Sequence, residues 1–306
     1  MGPGRPRAEA MAPPRPRRRS GTGPGSWTGF LLALPLLLFL AALVLWPVSR
    51  LVAAAAHGPD AFRVVLAAGR YRTALVNSLL LSAAAAGAAV LLSLVPAWVL
   101  ARERFAGRRL LRATMALPLS FSGVLVGFLM VVMLGRIGAI PELVRWLTGR
   151  ELLAGVAYTP AGLFIAYLYF EVPRAVLTLE AAFRRFPPEL DAVARTLGAS
   201  ARERLLRVRL PLLAPALRAS LALTFAASMG SFGVALILSR RFTVAPVEIY
   251  TELTGFSNDA VAGALCLLLA LATLAADRLL VEGGERWRRA GSGGGLRQAA
   301  ASRARP

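Results

Sequence analysis

The sequence predicts an all-α, polytopic membrane protein with six transmembrane helices, on three observations. The 306 residues are 57% hydrophobic with a mean hydropathy of +0.60. Several stretches run about 20 residues almost without charge, the length that crosses a hydrocarbon core of about 30 Å at 1.5 Å per residue. The alternating pattern of a barrel strand is absent, and a helix satisfies its own backbone in lipid.

Residues 1–26 are rich in Pro, Gly and Arg without apolar periodicity and read as a disordered basic cytoplasmic arm. The run "RRRS" invites a signal-peptide reading, but the apolar stretch Trp27–Val48 is too long for a signal core and lacks a clear cleavage site. It is read as a retained first span. Five more spans are expected at Ala74–Leu100, Ala113–Leu134, Leu152–Phe170, Leu213–Leu238 and Ala260–Leu280. Pro35, Pro96 and Pro118 fall inside spans and are expected to kink them rather than break them. Residues 27–282 thus form one transmembrane domain, and 283–306 read as a flexible cytoplasmic tail.

The net charge of +20 is carried by arginine, with no lysine in the chain. The arginines lie between apolar spans, so they fit orientation signals and anionic lipid headgroups rather than nucleic acid. Five follow span two and eight follow span four, against four, three and two in the alternate loops. The positive-inside rule then puts both termini on the cytoplasmic side of a bacterial inner membrane, consistent with six spans.

A single cysteine, Cys266, and a single histidine, His57, exclude a disulfide framework, a thiol or His-rich metal centre and a convergent catalytic set. His57 is expected in a loop. No GxxxxGK[ST] phosphate cradle occurs, so the chain is not expected to be an enzyme or to hold a cofactor.

The segment "ELDAVARTLGASARERLLRVRLPLL", Glu189–Leu213, is an ordered charged elbow between spans. Pro187 and Pro188 suit a helix start. Leu190, Val193, Ala194 and Leu197 make one apolar stripe, and Asp191 is spaced to pair with Arg195 at i, i+4. Gly198 suits a left-handed stop, and Ser200 with Glu203 forms a capping box for a second helix running to Pro211. Physical chemistry alone leaves two readings: a helix resting on the membrane surface, or a docking element for a soluble partner.

Gly198, then nine residues, then Val208, Arg209, Leu210 and Pro211 resembles the cytoplasmic signature of permease subunits of binding-protein-dependent type I ABC importers. The signature's E-A-A positions fall on Ala192, Val193 and Ala194, so its glutamate is missing; Asp191 or Glu189 is the candidate substitute. "VNSLLLSAAAAG", "ALPLSFSGVLVGFL", "SMGSFGVAL" and "IYTELTGFSNDAVAGAL" also look like this family, over a core of residues 70–280, with wording nearest to polyamine, iron(III) and related organic-cation or phosphonate permeases.

The resemblance implies a type I importer permease fold in which residues 187–211 are the ATPase-coupling loop. It also implies partners: cytoplasmic ATPase subunits that bind the ATP, a second permease in a homo- or heterodimer, and an extracytoplasmic substrate-binding protein that supplies selectivity. Candidates for the translocation path are Asn77, Ser78, Ser82, Thr224, Ser228 and Ser231, hydroxyl and amide residues on otherwise apolar spans; Gly230 and Gly233 read as helix-packing positions. Glu171 and Arg174, flanking Pro173, read as an interface pair or snorkelling anchors at the cytoplasmic end of span four rather than substrate ligands. The alternative is a secondary transporter or channel not driven by ATP, which would carry intramembrane ion-coupling residues or an inverted repeat.

Overall fold

A computed structural model describes residues 25–280 except Pro59 and Arg241. The expected arm and tail lie, but for Gly25 and Ser26, outside the described residues. The described residues are helical, with no strand among them. Six helices are long and apolar enough to cross a membrane by length and composition: Ala33–Ala56, Gly69–Arg102, Gly123–Thr148, Pro160–Arg184, Ala201–Met229 and Asp259–Leu280.

The chain divides into two compact units, Met1–Arg50 and Leu51–Pro306. The described part of the first belongs to α1 (Gly25–His57), which continues through Pro35 and Pro47. His57 is the last helical residue rather than a loop residue.

The second unit is built on α3 (Gly69–Arg102) and α7 (Pro160–Arg184). Alanine explains their close fit: Ala85, Ala86, Ala89 and Ala97 on α3 and Ala166 and Ala175 on α7 are fully buried. Small side chains let helix backbones approach where lipid offers no hydrophobic drive to associate. Larger residues fill the seam towards the far end of both helices, where Leu100, Val176, Leu179 and Phe183 form one cluster. α3 continues through Pro96, as expected of a proline within a membrane helix.

Three expected boundaries move. The apolar run expected as span three breaks after Ala116, where Pro118 sits in a 3-10 turn, Leu117–Ser120. Ahead of the break lies α4 (Arg108–Ala116), an amphipathic helix; beyond it α5 (Gly123–Leu134) starts at a Ser122 cap. The proline therefore breaks this span instead of kinking it, because a serine cap and an extended Phe121 offer a fresh helix start at once. The run resumes after a turn as α6 (Ala139–Thr148).

Span four starts at Pro160 instead of Leu152, since Thr159 accepts from the Gly162 N–H and caps α7 there. Glu171 and Arg174 consequently lie mid-helix, not at its end. Glu171 is buried and takes both its oxygens to the Arg174 guanidinium at 2.6 and 2.7 Å.

Span five is two pieces. α9 (Ala201–Met229) stops at Gly230, and α10 (Phe232–Leu238) follows. α5 and α10 pack in parallel through glycine. A Cβ on Gly233 would stand 2.8 Å from the Val124 nitrogen, and one on Gly127 would stand 2.8 Å from the Ile237 Cβ. Gly233 is thus a packing glycine, and Gly230 marks the break.

The short helices α2 (Ala61–Ala67), α8 (Pro188–Thr196) and α11 (Ala245–Thr254), with α12 (Asp259–Leu280), complete the chain.

Candidate functional site

The elbow folds as its local residues dictate. α8 ends in a Schellman stop: the Ala199 N–H donates to Ala194 O and the Gly198 N–H to Arg195 O, both at 3.0 Å. Gly198 has φ +80° and open space where a Cβ would go, so backbone conformation and not crowding requires glycine. Ser200 and Glu203 form the reciprocal capping box: the Glu203 N–H donates to Ser200 Oγ at 3.3 Å, and the Ser200 N–H to Glu203 Oε2 at 3.0 Å. The turn Arg204–Arg209 is π-helical. Pro211 accounts for it, since it has no N–H for Arg207 O and its ring would collide with that carbonyl in a regular α-turn. Val208, Leu210 and Pro211 of the signature therefore fall in and just after this widened turn.

Asp191 does not pair with Arg195. Its carboxylate accepts two hydrogen bonds from Arg209, at 3.0 and 2.9 Å, with Arg204 at 3.5 Å. A fork-to-fork arginine contact is stronger than an i, i+4 pair on an exposed helix. The Arg209 hydrogen bonds hold the Asp191 carboxyl below its ordinary value of 3.8. Asp191 is thus turned into the loop, which leaves Glu189 and Ala192 on the exposed side of α8.

Arg209 continues inward. Its guanidinium stands 4.8 Å from the Trp98 ring centre on α3, and Arg102 stands 5.3 Å from the same ring. Trp98 meets Phe183 and Phe186 edge-on at 5.6 and 6.4 Å, and Arg102 donates to Phe186 O at 2.5 Å. A path of direct contacts therefore runs from α8 through Asp191, Arg209 and Trp98 into the α3–α7 seam. Nearby, buried Glu180 on α7 receives Arg112 from α4 and Arg184 from its own helix, with Arg108 at 4.0 Å. Arg209, Trp98 and Arg102 were not expected from the sequence. Arg209 fills the signature's unspecified position, and nothing local shows which ring it will meet.

The apolar stripe of α8 is outside the fold: Leu190, Val193 and Leu197 are 42%, 55% and 81% exposed, with Ala194 partly covered. A helix fastened by one edge presents this stripe as an uncovered surface.

The candidate path residues sit at the other end of α3 and along α9. Asn77 Nδ2 donates to Thr243 O at 2.9 Å, and Ser78 Oγ accepts from the Ala245 N–H at 2.8 Å, so both pin the chain that enters α11. Ser82 is buried, with no partner for its hydroxyl among the described residues. Thr224 is buried and returns its hydroxyl to Ser220 O at 2.9 Å; Ser228 is buried. Ser231 stands in the break between α9 and α10, and its carbonyl accepts from Tyr167 at 3.2 Å. Among the described residues no cluster of three or more His, Cys, Asp or Glu is placed to hold a metal.

Residues 89–281 match the family described as "Binding-protein-dependent transport system inner membrane component". The chain is 31% identical over 185 residues to the sulfate transport system permease protein CysT of Escherichia coli, covering 59% of this chain and 65% of that protein. It is 35% identical over 208 residues to the molybdenum transport system permease protein ModB of Mycobacterium tuberculosis, 66% of this chain and 76% of that protein. The matched stretch spans just under two thirds of the sulfate permease's own length. These relatives are sulfate and molybdenum permeases, whereas the membrane wording suggests polyamine, iron(III) and related organic-cation or phosphonate permeases. In fold, the chain superposes on a chain of a bacterial alginate ABC transporter, crystallised with an alginate pentasaccharide-bound periplasmic protein, with a TM-score of 0.72 at 19% identity; the match covers 86% of this chain and 95% of that one. The family match extends over more than half the sequence and includes the whole elbow: the chain belongs to the binding-protein-dependent transport system inner membrane components.

Proposed function

We propose that this chain is the membrane-spanning permease subunit of an ATP-driven import system, with α8 as the helix that receives force from a cytoplasmic ATPase. One observation carries the reading. α8 is held by Asp191 and Arg209 at one edge while Leu190, Val193 and Leu197 stay exposed on another. A fastened helix with an uncovered apolar stripe suits a partner's groove, and the fastening gives that partner a grip on the α3–α7 seam. The alternative of a transporter not driven by ATP is less well supported: the mid-helix Glu171 is neutralised within its own helix by Arg174.

The names of the relatives favour a small inorganic anion as cargo. Sulfate is an oxyanion, and molybdenum(VI) in neutral water is one too. The family supports ATPase subunits that bind the ATP and an extracytoplasmic binding protein as partners, and the reading adds a second permease, a copy of this chain or a relative, and surrounding lipid. The distribution of loop arginines supports a cytoplasmic side for both termini and the elbow.

Two measurements test this. Reporter fusions after Pro306 and within residues 57–70 are expected to report opposite sides of the membrane. The tagged chain, inactive towards ATP alone, is expected to retain a soluble ATPase on purification. Uptake that persists after loss of every candidate ATPase would overturn the reading.

A further inference from the structure

The end of the second unit remote from the elbow holds a cavity of about 680 Å³ lined by Arg136, Ala154, Gly155, Tyr158, Thr159 and Arg240. Its basic residues are delivered symmetrically. α5 and α10 run in parallel, ending at Leu134 and Leu238, and each is followed two residues on by one of these arginines. Neither Arg136 nor Arg240 has a carboxylate within ion-pair distance among the described residues. Three other arginines at this end are engaged, Arg70 with Glu248 and Glu252, Arg145 with Glu142 and Glu151, and Arg63 with Asp60, while Arg72 and Arg150 have no carboxylate partner among the described residues but do not line the cavity.

The cavity is also shaped for the pair. The Arg240 guanidinium stands 5.1 Å from the Tyr158 ring centre, which orients it. Gly155, with φ +78°, turns the chain so closely past Arg136 that a Cβ would stand 3.3 Å from its Cγ. Thr159 caps α7 on the same wall, so the positive end of a 25-residue helix adds to the charge.

We propose that this cavity is a receiving site for a free oxyanion dianion of the sulfate and molybdate class, held between Arg136 and Arg240. Two guanidiniums match two negative charges, and their planar forks suit tetrahedral oxygens. The space is wide enough for the ion to keep part of its water. Binding is then weak and reversible, as a transit point requires. The inference rests on the permease reading, which makes this the entry end.

The test is arginine footprinting of the full chain in nanodiscs of zwitterionic lipid. A dicarbonyl reagent is applied in sulfate or in chloride at equal ionic strength, and modification is read by peptide mass spectrometry. Millimolar sulfate is expected to slow modification of Arg136 and Arg240 about threefold or more while leaving exposed Arg63 unchanged. Arg240→Gln is expected to abolish most of the protection at Arg136. Equal rates in sulfate and chloride overturn the proposal. So does protection by phosphatidylglycerol nanodiscs without sulfate, which assigns the site to a lipid headgroup. Protection only on adding an extracytoplasmic binding protein overturns it as well, in favour of protein docking. ATPase retention by the same chain separates the two claims: retention without sulfate protection refutes the receiving site alone, and loss of both refutes the permease reading.

Discussion

The two ends of the second unit use arginine in opposite ways. At the elbow end, carboxylates are outnumbered and saturated: Asp191 holds Arg209 and Arg204, and Glu180 gathers Arg112, Arg184 and Arg108. The arginines gathered by these two carboxylates are structural, while others at this end, such as Arg104, Arg109, Arg195 and Arg202, have no carboxylate partner among the described residues. At the remote end, Arg70 is outnumbered by Glu248 and Glu252, whereas Arg136 and Arg240 face a cavity with no acid among its described lining residues. The same residue type ties elements together where carboxylates converge and lines an open cavity where they do not. Net charge therefore does not locate function in this protein; the local ratio of acid to base does.

The largest effect is expected from Gly198→Val. A β-branched residue at φ +80° is strained even with open space around it. The spans should insert at normal levels, with transport per inserted permease and ATPase retention down about tenfold or more, equivalent to roughly 1.4 kcal/mol or above. Gly198→Asn, which tolerates the left-handed region, is expected to keep much of both. Wild-type transport in the valine variant would remove the elbow from the coupling path.

Next comes the Asp191–Arg209 contact. Asp191→Asn and Arg209→Gln are each expected to weaken the fastening of α8 by about 1–2 kcal/mol, the double variant losing little more than either. Hydrogen exchange over residues 188–200, with ATPase retention, measures it. Asp191→Arg should disturb the loop itself, because it sets a third arginine against Arg204 and Arg209. Additive losses in the double variant would show that the contact carries no coupling.

The pH response sharpens the same contrast. Asp191 has its carboxyl lowered below 3.8 by Arg209, so its contribution is complete above that value and is lost as pH falls through the lowered folded value. Exchange over α8 in the wild type should therefore hold steady from neutral pH down to about 4 and rise only in stronger acid. The Asp191→Asn variant should lack that acid step. The smallest effect is expected from Trp98→Phe. It keeps an aromatic face but weakens the contact with Arg209 and Arg102, for a loss of about 0.5–1 kcal/mol in α8 protection.

Much of the fold was legible in the chain because membrane spans are written in consecutive residues. All six candidate spans overlap the expected ones. The local stops in the elbow were equally readable, since a Schellman turn at Gly198 and a capping box at Ser200–Glu203 depend on neighbours within a few residues. The misplacements share a cause. The Leu152 start was displaced by a Thr159 cap eight residues into the same polar-poor stretch, and the Pro118 break followed from a serine that was read as part of a span.

By itself the sequence determined the class of the protein, the existence of the elbow and the conformation at Gly198 and at the Ser200 cap, though not the π-helical turn Arg204–Arg209, because hydrophobic length and capping are local quantities. Only the tertiary structure decided what the charged residues do. Asp191 had Arg195 at the right spacing but meets Arg209, 18 residues on, because the elbow folds back and offers a two-pronged contact. Arg136 and Arg240 stand more than a hundred positions apart and share one cavity only because glycine contacts hold α5 and α10 in parallel. Charge interactions act through space, so their partners depend on packing that no short stretch of residues encodes.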